Sequence, residues 1–219
     1  NDSEGKAKTL QALTDKYPNS NYQILSIREL ADTYKAQGNH QKAIDTYEKF
    51  INDYPQNKYV PRAIVNIGSV YLSMKDYGKG EKYLERVMSE YPNATEENGS
   101  AILLMKEVYK GRDDLAGYYD WLATKGIEIA QTELDSVLWE PVQDAWDNGN
   151  CPSIHLKASE YNQKVLNGRH AADANYYMAR CMHQEEKLEE ALSYYNQVID
   201  KVNNNNFEDA LKYAGNISY

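Results

Sequence analysis

Two cysteines and two histidines are the residues best suited to chemistry in this chain: Cys151, His155, Cys181 and His183. Two sulfur and two nitrogen ligands could hold zinc in a tetrahedron. The spacing argues against zinc, because Cys181 and His183 lie two residues apart on a predicted helix, where side chains point about 200° apart. We therefore expect no metal site and expect Cys181 to be a small, buried core residue. Whether Cys151 and Cys181 pair stays open at this point.

Motifs of other active sites are missing from the sequence. It contains no nucleophile elbow, glycine-rich phosphate loop, metalloprotease helix or calcium loop. The acidic runs Glu185–Glu190 and Asp113–Asp114 have the spacing of a solvated outer helix face, with a cation site as the alternative. We expect a protein that is not an enzyme and that uses no cofactor.

Charge and hydropathy exclude further classes of partner. The chain has 24 Lys and Arg against 33 Asp and Glu, a net charge of −9, which disfavours binding to a nucleic-acid backbone. Mean hydropathy is −0.78, and no apolar run of about 18 residues could serve as a transmembrane segment. Because the chain starts at Asn1 without a Met, we expect its start to follow a processing site or a fragment boundary.

The elements that position these residues follow from a repeat of 37 residues. Pro18, Pro55 and Pro92 are spaced by 37 residues, and each follows a tyrosine. Two apolar columns keep the same step, namely Leu10, Tyr47, Leu84, Trp121, Ala158, Tyr195 and Leu13, Phe50, Val87, Thr124, Tyr161, Val198. Glu128 interrupts a third column, so its unit is either shifted by one residue or lacks that buried position. A fixed period of this length is typical of stacked helical units.

Each period divides into two amphipathic helices separated by a tight turn. In residues 21–54 the first apolar stripe ends before Gly38 and the second begins at Ala43. Small residues recur where the two helices must approach closely: Ala31, Gly68, Ala179, Ala43, Gly80, Gly117 and Ala191. By contrast, we expect Asp32 to lie on an open wall, where its loss would change stability little.

This pattern resembles the tetratricopeptide repeat. The unit that carries it most clearly contains Ile27, Leu30, Ala31, Tyr34, Gly38, Ala43, Tyr47, Phe50 and Pro55. The next contains Ile64, Ile67, Gly68, Tyr71, Tyr77, Gly80, Leu84 and Pro92, and a later one contains Met178, Ala179, Leu188, Ala191, Tyr195 and Val198. The resemblance implies an all-α, right-handed superhelical solenoid of about five antiparallel helix pairs.

We expect residues 1–219 to form a single solenoid that is part of a longer array. The expected units are 1–20 (partial), 21–57, 58–94, 95–131, 132–168, 169–205 and 206–219 (partial). The two central units depart from the repeat pattern at Met105, Glu128 and Pro141. Partial end units should expose Leu10, Leu13, Leu211 and Tyr219, so we expect these ends to fray, to pack against another copy or to be covered by further repeats.

In this family the first helices of the pairs line the wall that holds peptides or partner helices. Projected onto this sequence, the resemblance places these residues there: Arg28, Asp32, Lys35, Arg62, Val65, Ser69, Leu72, Tyr176, Arg180 and His183. A solvated wall without a partner is the alternative. Asp32 stands where chaperone-binding members need an Asn for a carboxylate clamp, which argues against that subtype. Other tyrosines, including Tyr118, Tyr119, Tyr161 and Tyr176, need not all be core residues and are candidate interface anchors.

The resemblance implies a non-catalytic scaffold for a protein or peptide partner. The long period and the Tyr-Pro turns are similar to those of bacterial cell-envelope members, such as barrel-assembly lipoproteins and the periplasmic protein that works beside the Tol–Pal system. That similarity implies a location in the periplasm or at the periphery of the outer membrane. The alternative is a structural or substrate-recruiting module of a larger multidomain protein that carries an enzyme outside this chain.

Overall fold

The computed structural model describes residues 2–18, 20–201 and 203–218, and within these ranges it contains helices and no strand. The helices are α1 (Asp2–Lys16), α2 (Asn21–Ala36), α3 (His40–Asp53), α4 (Val60–Ser73), α5 (Tyr77–Glu90), α6 (Thr95–Gly111), α7 (Leu115–Thr124), α8 (Gln131–Asp147), α9 (Cys151–Lys164), α10 (Ala171–Gln184), α11 (Leu188–Ile199) and α12 (Phe207–Ser218). The all-α class built from helix pairs is confirmed. None of the described helices is both long and apolar enough to span a bilayer.

The turns inside the helix pairs share one backbone geometry. Each places a residue with positive φ two positions after the first helix: Gly38 (70°), Lys75 (59°), Asp113 (57°), Gly149 (63°) and Glu186 (60°). The amide of the next residue then donates to a carbonyl five residues back, as Asn39 does to Tyr34, which satisfies the end of the first helix. Asp113 comes one residue later than the 37-residue step requires, and Gly149 restores the step. Glu128 itself lies after the end of α7 at Thr124, so it is outside the second helix of its unit.

The chain divides into two compact units, Asn1–Tyr118 and Tyr119–Tyr219. In the first, which we call unit 1, α4 and α5 pack closely at two glycines. A Cβ on Gly68 would lie 2.9 Å from Cδ2 of Leu84, a fully buried side chain. A Cβ on Gly80 would occupy the space of Leu72 Cδ1, which belongs to a half-buried side chain. The repeated small residues at these two positions thus allow the helices to approach, as the sequence predicts.

In the second unit, which we call unit 2, a buried carboxylate joins α8 to the segment after α9. Asp135 accepts hydrogen bonds from Tyr161 Oη at 2.6 Å and from the Arg169 backbone amide at 3.0 Å. Burial favours the neutral acid, but the hydrogen bonds from Tyr161 and Arg169 outweigh burial, so the pKa of Asp135 lies below its ordinary value. Nearly two turns of α8 further on, Pro141 lies inside the helix without ending it.

A disulfide joins neighbouring helix pairs in unit 2. Cys151 at the start of α9 is bonded to Cys181 of α10, with their Cα atoms 5.4 Å apart. One turn further along each helix, His155 Nε2 lies 2.9 Å from Glu185 Oε1. Cys181 is buried, as expected, and the question of pairing left open by the sequence is answered. The described residues contain no group of three side chains that could hold a metal ion.

The ends of the described chain expose apolar side chains. Leu13 of α1 and Leu211 of α12 are exposed, and Leu10 is half-buried. Tyr219 lies outside the described residues. Leu13 and Leu211 are thus exposed as expected, while the partial units, the longer array and contact with another copy stay predictions.

Candidate functional site

Two adjoining recesses lie along the face shared by α2, α4 and α6 in unit 1. A recess of about 210 Å³ is lined by Arg28, Asp32, Tyr47, Tyr59, Arg62, Ala63 and Asn66. A second, of about 330 Å³, is lined by Lys35, Arg62, Val65, Asn66, Ser69, Glu96, Glu97, Ser100, Leu103 and Leu104. Both include Arg62 and Asn66, so the two recesses form one continuous surface, which we call the first-helix wall.

A hydrogen-bond network joins α2, α3 and α4 beneath this wall. Tyr47 Oη donates to Asp32 Oδ1 at 2.5 Å, and Asn66 Nδ2 donates to the same oxygen at 3.2 Å. The Tyr47 side chain is fully buried, and burial together with the Asp32 carboxylate raises the pKa of its hydroxyl. Asp32 is therefore a structural acceptor, and the expectation that its loss would change stability little is revised. Without it the Tyr47 hydroxyl would lose its acceptor, at a cost of about 1–3 kcal/mol.

Three cations line the same wall as this carboxylate. The Arg28 guanidinium lies over the Tyr59 ring at 4.3 Å, and Lys35 Nζ donates to Asn66 Oδ1 at 3.2 Å. Arg62 Nη1 lies 3.4 Å from Glu96 Oε1 in an exposed pair. Within the described part of the chain, no carboxylate lies within ion-pair distance of Arg28 or Lys35.

Burial alters the chemistry of Lys35 in particular. Removal from water lowers the pKa of its ammonium, and the nearby Arg62 charge acts in the same direction, while Asp32 opposes both. A partly desolvated ammonium without a carboxylate partner gains more from an incoming anionic group than an exposed lysine does. This end of the wall therefore favours negative charge.

The other end of the wall carries the opposite charge. Glu96 and Glu97 open α6 and line the same recess as Lys35 and the apolar side chain of Val65. Leu103 also lines this recess and is 71% exposed. The wall therefore carries cations on α2 and α4, carboxylates at the start of α6 and apolar side chains among them, an arrangement suited to an extended segment that carries both charges.

Most of the expected unit 1 residues meet on this wall. Arg28, Asp32, Lys35, Arg62, Val65 and Ser69 all line one of the two recesses. Leu72 lies elsewhere, because its side chain covers Gly80 within its own helix pair.

Sequence reasoning left several wall residues unassigned: Tyr59, Asn66, Glu96, Glu97, Ser100, Leu103 and Leu104. The repeat step was the signal that could have found some of them. Glu96 lies 37 residues after Tyr59, and Leu103 lies 37 residues after Asn66.

The expected unit 2 residues lie in a packed aromatic cluster. Tyr176 is 5% exposed, and its hydroxyl accepts from Arg180 Nη1 at 3.1 Å. Arg180 also lies over the Tyr213 ring at 4.5 Å, and His183 Nδ1 is 3.3 Å from Tyr195 Oη. These contacts hold the three residues against one another and against Tyr195 and Tyr213.

The four candidate anchor tyrosines are buried. Tyr118, Tyr119, Tyr161 and Tyr176 are each less than a tenth exposed, and Tyr161 is wholly inaccessible. They serve as core residues and offer little area to a partner.

Family models describe three stretches of this chain. The model described as "Tetratricopeptide repeat" matches residues 29–57 and 173–202, and a second model with the same description matches residues 61–93. Tetratricopeptide repeats are present in this chain. The matches at 29–57 and 61–93 include Asp32, Lys35 and Arg62 of the first-helix wall.

Several solved structures are similar to this chain. One is Naa15/Naa10 bound to HypK-THB, with 14% identity and a TM-score of 0.48, covering 99% of this chain and 32% of that chain. A tetratricopeptide repeat protein from Parabacteroides merdae has 11% identity and a TM-score of 0.33, covering 97% of this chain and 91% of that one. The TPR2AB domain of yeast Sti1 in its pHSP90 complex has 13% identity and a TM-score of 0.39, and the match covers 98% of this chain and 84% of that one. The chain thus spans about a third of the first of these proteins. No curated protein sequence matches it significantly.

Proposed function

We propose that this chain is a non-catalytic scaffold whose first-helix wall binds an extended segment of another protein. The observation that carries this proposal is the pair of adjoining recesses, in which Arg28 and Lys35 lack carboxylate partners in the described chain. The bound segment carries an acidic side chain over these cations and a basic one over Glu97, with apolar residues between them on Val65.

The proposed setting is a complex in a bacterial cell envelope, in the periplasm or at the periphery of the outer membrane. The Cys151–Cys181 disulfide supports this setting, because disulfides persist in oxidising compartments and are rare in the cytosol. In the alternative, the same wall recruits substrates for a larger multidomain protein with an enzyme elsewhere, and the full-length sequence distinguishes the two.

The charge order of the ligand is the property to test. Capped nonapeptides with an acidic end, an apolar centre and a basic end are compared with their reversed and uncharged versions by fluorescence anisotropy. Lys35→Met removes the partly desolvated charge but keeps the length of the side chain, and we expect it to weaken binding about tenfold. Lys82→Met on α5 is the matched control, because this exposed lysine lies on a second helix and does not line the wall.

Two results would contradict the proposal. One is equal affinity for the three peptide versions, because binding would then not depend on the order of charges along the peptide. The other is an equal loss of affinity in Lys35→Met and Lys82→Met, which would indicate a general electrostatic attraction.

A further inference from the structure

A buried amide stands in unit 2 where other repeats have apolar residues. Asn175 of α10 is 5% exposed. At whole multiples of 37 residues before it lie Ile27, Ile64, Ala101 and Leu138, all apolar and buried. Replacing an aliphatic core residue with an amide costs desolvation free energy unless the amide finds hydrogen-bond partners. Asn175 is thus a departure from the repeat that needs its own physical reason.

Asn175 is the middle of a ladder of three amides. Asn162 Nδ2 of α9 donates to Asn175 Oδ1 at 2.7 Å, and Asn175 Nδ2 donates to Gln197 Oε1 of α11 at 3.3 Å. In unit 1 the positions equivalent to Asn162 and Asn175 hold Ile51 and Ile64, both buried. The ladder therefore replaces an apolar joint between neighbouring helix pairs.

The ends of the ladder retain hydrogen-bonding capacity. Each primary amide has a carbonyl acceptor and two N–H donors. The ladder uses one donor of Asn162 and the carbonyl of Gln197, which leaves the Asn162 carbonyl as an acceptor and the Gln197 amide as a donor. Within the described chain, neither group has another hydrogen-bond partner.

Both ends open into one groove of about 550 Å³ on the second-helix side of unit 2. We call it the amide groove. Asn175 and both ends of the ladder line it, and so do Leu166 and Tyr194. Leu166 is 79% exposed, so it offers apolar surface to the groove. The charged lining residues are Asp200 and Lys201, whose charges cancel.

We propose that the amide groove binds an uncharged stretch of extended peptide. Successive peptide groups of an extended chain offer N–H and C=O groups, one for the Asn162 carbonyl and another for the Gln197 amide. An aliphatic side chain of the bound peptide then covers Leu166 and removes apolar surface from water. A sugar fits less well, because Tyr194 is the one aromatic side chain among the described lining residues. This site is separate from the first-helix wall and does not depend on the function proposed for that wall.

A fragment titration tests the proposal. The probe is N-acetyl-L-leucine N′-methylamide, which has two peptide groups and one aliphatic side chain, and the readout is the ¹⁵N–¹H correlation spectrum of the full chain. We expect the side-chain amide signals of Asn162, Asn175 and Gln197 to shift in a saturable way. Gln197→Ala should raise the dissociation constant about tenfold, as expected for loss of a ligand hydrogen bond.

Two variants control for structural effects. Asn196→Ala, at the adjacent exposed amide on α11, lies outside the groove and should leave the affinity unchanged. Asn175→Leu installs the residue type of Leu138 and should abolish binding while the rest of the spectrum is preserved. If Asn175→Leu fails to fold, the comparison of Gln197→Ala with Asn196→Ala decides the question alone.

Three outcomes would overturn the proposal. The first is the absence of saturable shifts at the ladder amides. The second is an equal effect of the Gln197 and Asn196 substitutions. The third is that methyl glucoside shifts the ladder signals while the leucine probe does not, which would assign the groove to a carbohydrate.

Discussion

Breaking the Cys151–Cys181 disulfide should destabilise unit 2 and leave unit 1 intact. The two cysteines are separated by 30 residues, and both lie in unit 2. For a closed loop of this length, the chain-entropy relation gives a loss of about 12 cal/mol/K in the unfolded chain, or about 3.6 kcal/mol at 25 °C. This is a large part of the stability of a domain of ordinary size.

The assay compares oxidised and reduced protein in urea, with hydrogen exchange read helix by helix. A loss of about 3.6 kcal/mol moves the unfolding midpoint of unit 2 by roughly 1.2–3.6 M urea, given the usual slopes for small domains. Exchange should quicken in α9 and α10, which the disulfide joins, and should be unchanged in α4 and α5. The double variant Cys151→Ala, Cys181→Ala should match the reduced protein apart from the lost side-chain packing.

Two results would refute this reasoning. If reduction leaves the unfolding midpoint of unit 2 unchanged, the hydrogen-bonded pair of His155 and Glu185 one turn away holds the helices together without the covalent link. If α4 and α5 lose protection to the same extent as α9 and α10, the two units do not unfold independently.

Two further predictions concern packing and pH. Gly68→Ala should destabilise unit 1 by about 1–2 kcal/mol in thermal melts despite the better helix propensity of Ala, because the fully buried Leu84 must move. Gly80→Ala should be near neutral, because the half-buried Leu72 can turn away. Equal melting temperatures of the two variants would show that the contact at Gly68 relaxes freely. Asp135→Asn should cost unit 2 about 1–3 kcal/mol at pH 7. The folded-state pKa of Asp135 is depressed, so its contribution to stability is complete above its ordinary pKa of ~3.9 and is lost as pH falls through the folded-state pKa. The urea midpoints of the variant and the wild type should therefore converge in acid. A difference in midpoint that stays constant with pH would exclude this linkage.

Local sequence patterns were enough to predict the helix pairs. The columns through Tyr47 and Phe50 predict buried helix faces because apolar residues three apart share one face, and both side chains are fully buried. The turn at Gly38 was predictable for the same local reason. The shift at Asp113 was not, because a positive φ at an aspartate leaves no distinctive signal in the sequence.

The first-helix wall could be predicted only in part. The repeat register correctly brought Arg28, Lys35 and Arg62 to one surface, since equivalent positions of stacked helices lie side by side. It could not show that Asp32 accepts the Tyr47 hydroxyl, because that bond depends on how α2 packs against α3.

The sequence by itself determined the repeat length, the pairing of helices along the chain and the small residues at their crossings, because each depends on residues close together in one unit. Only the tertiary structure decided the Cys151–Cys181 bond, the cationic and anionic ends of the wall and the amide ladder through Asn175. The disulfide and the wall join side chains about 30 residues or more apart in the sequence, and the amide ladder joins side chains from three different helices. Their distances and burial depend on how successive pairs stack, which residue spacing along one helix does not specify.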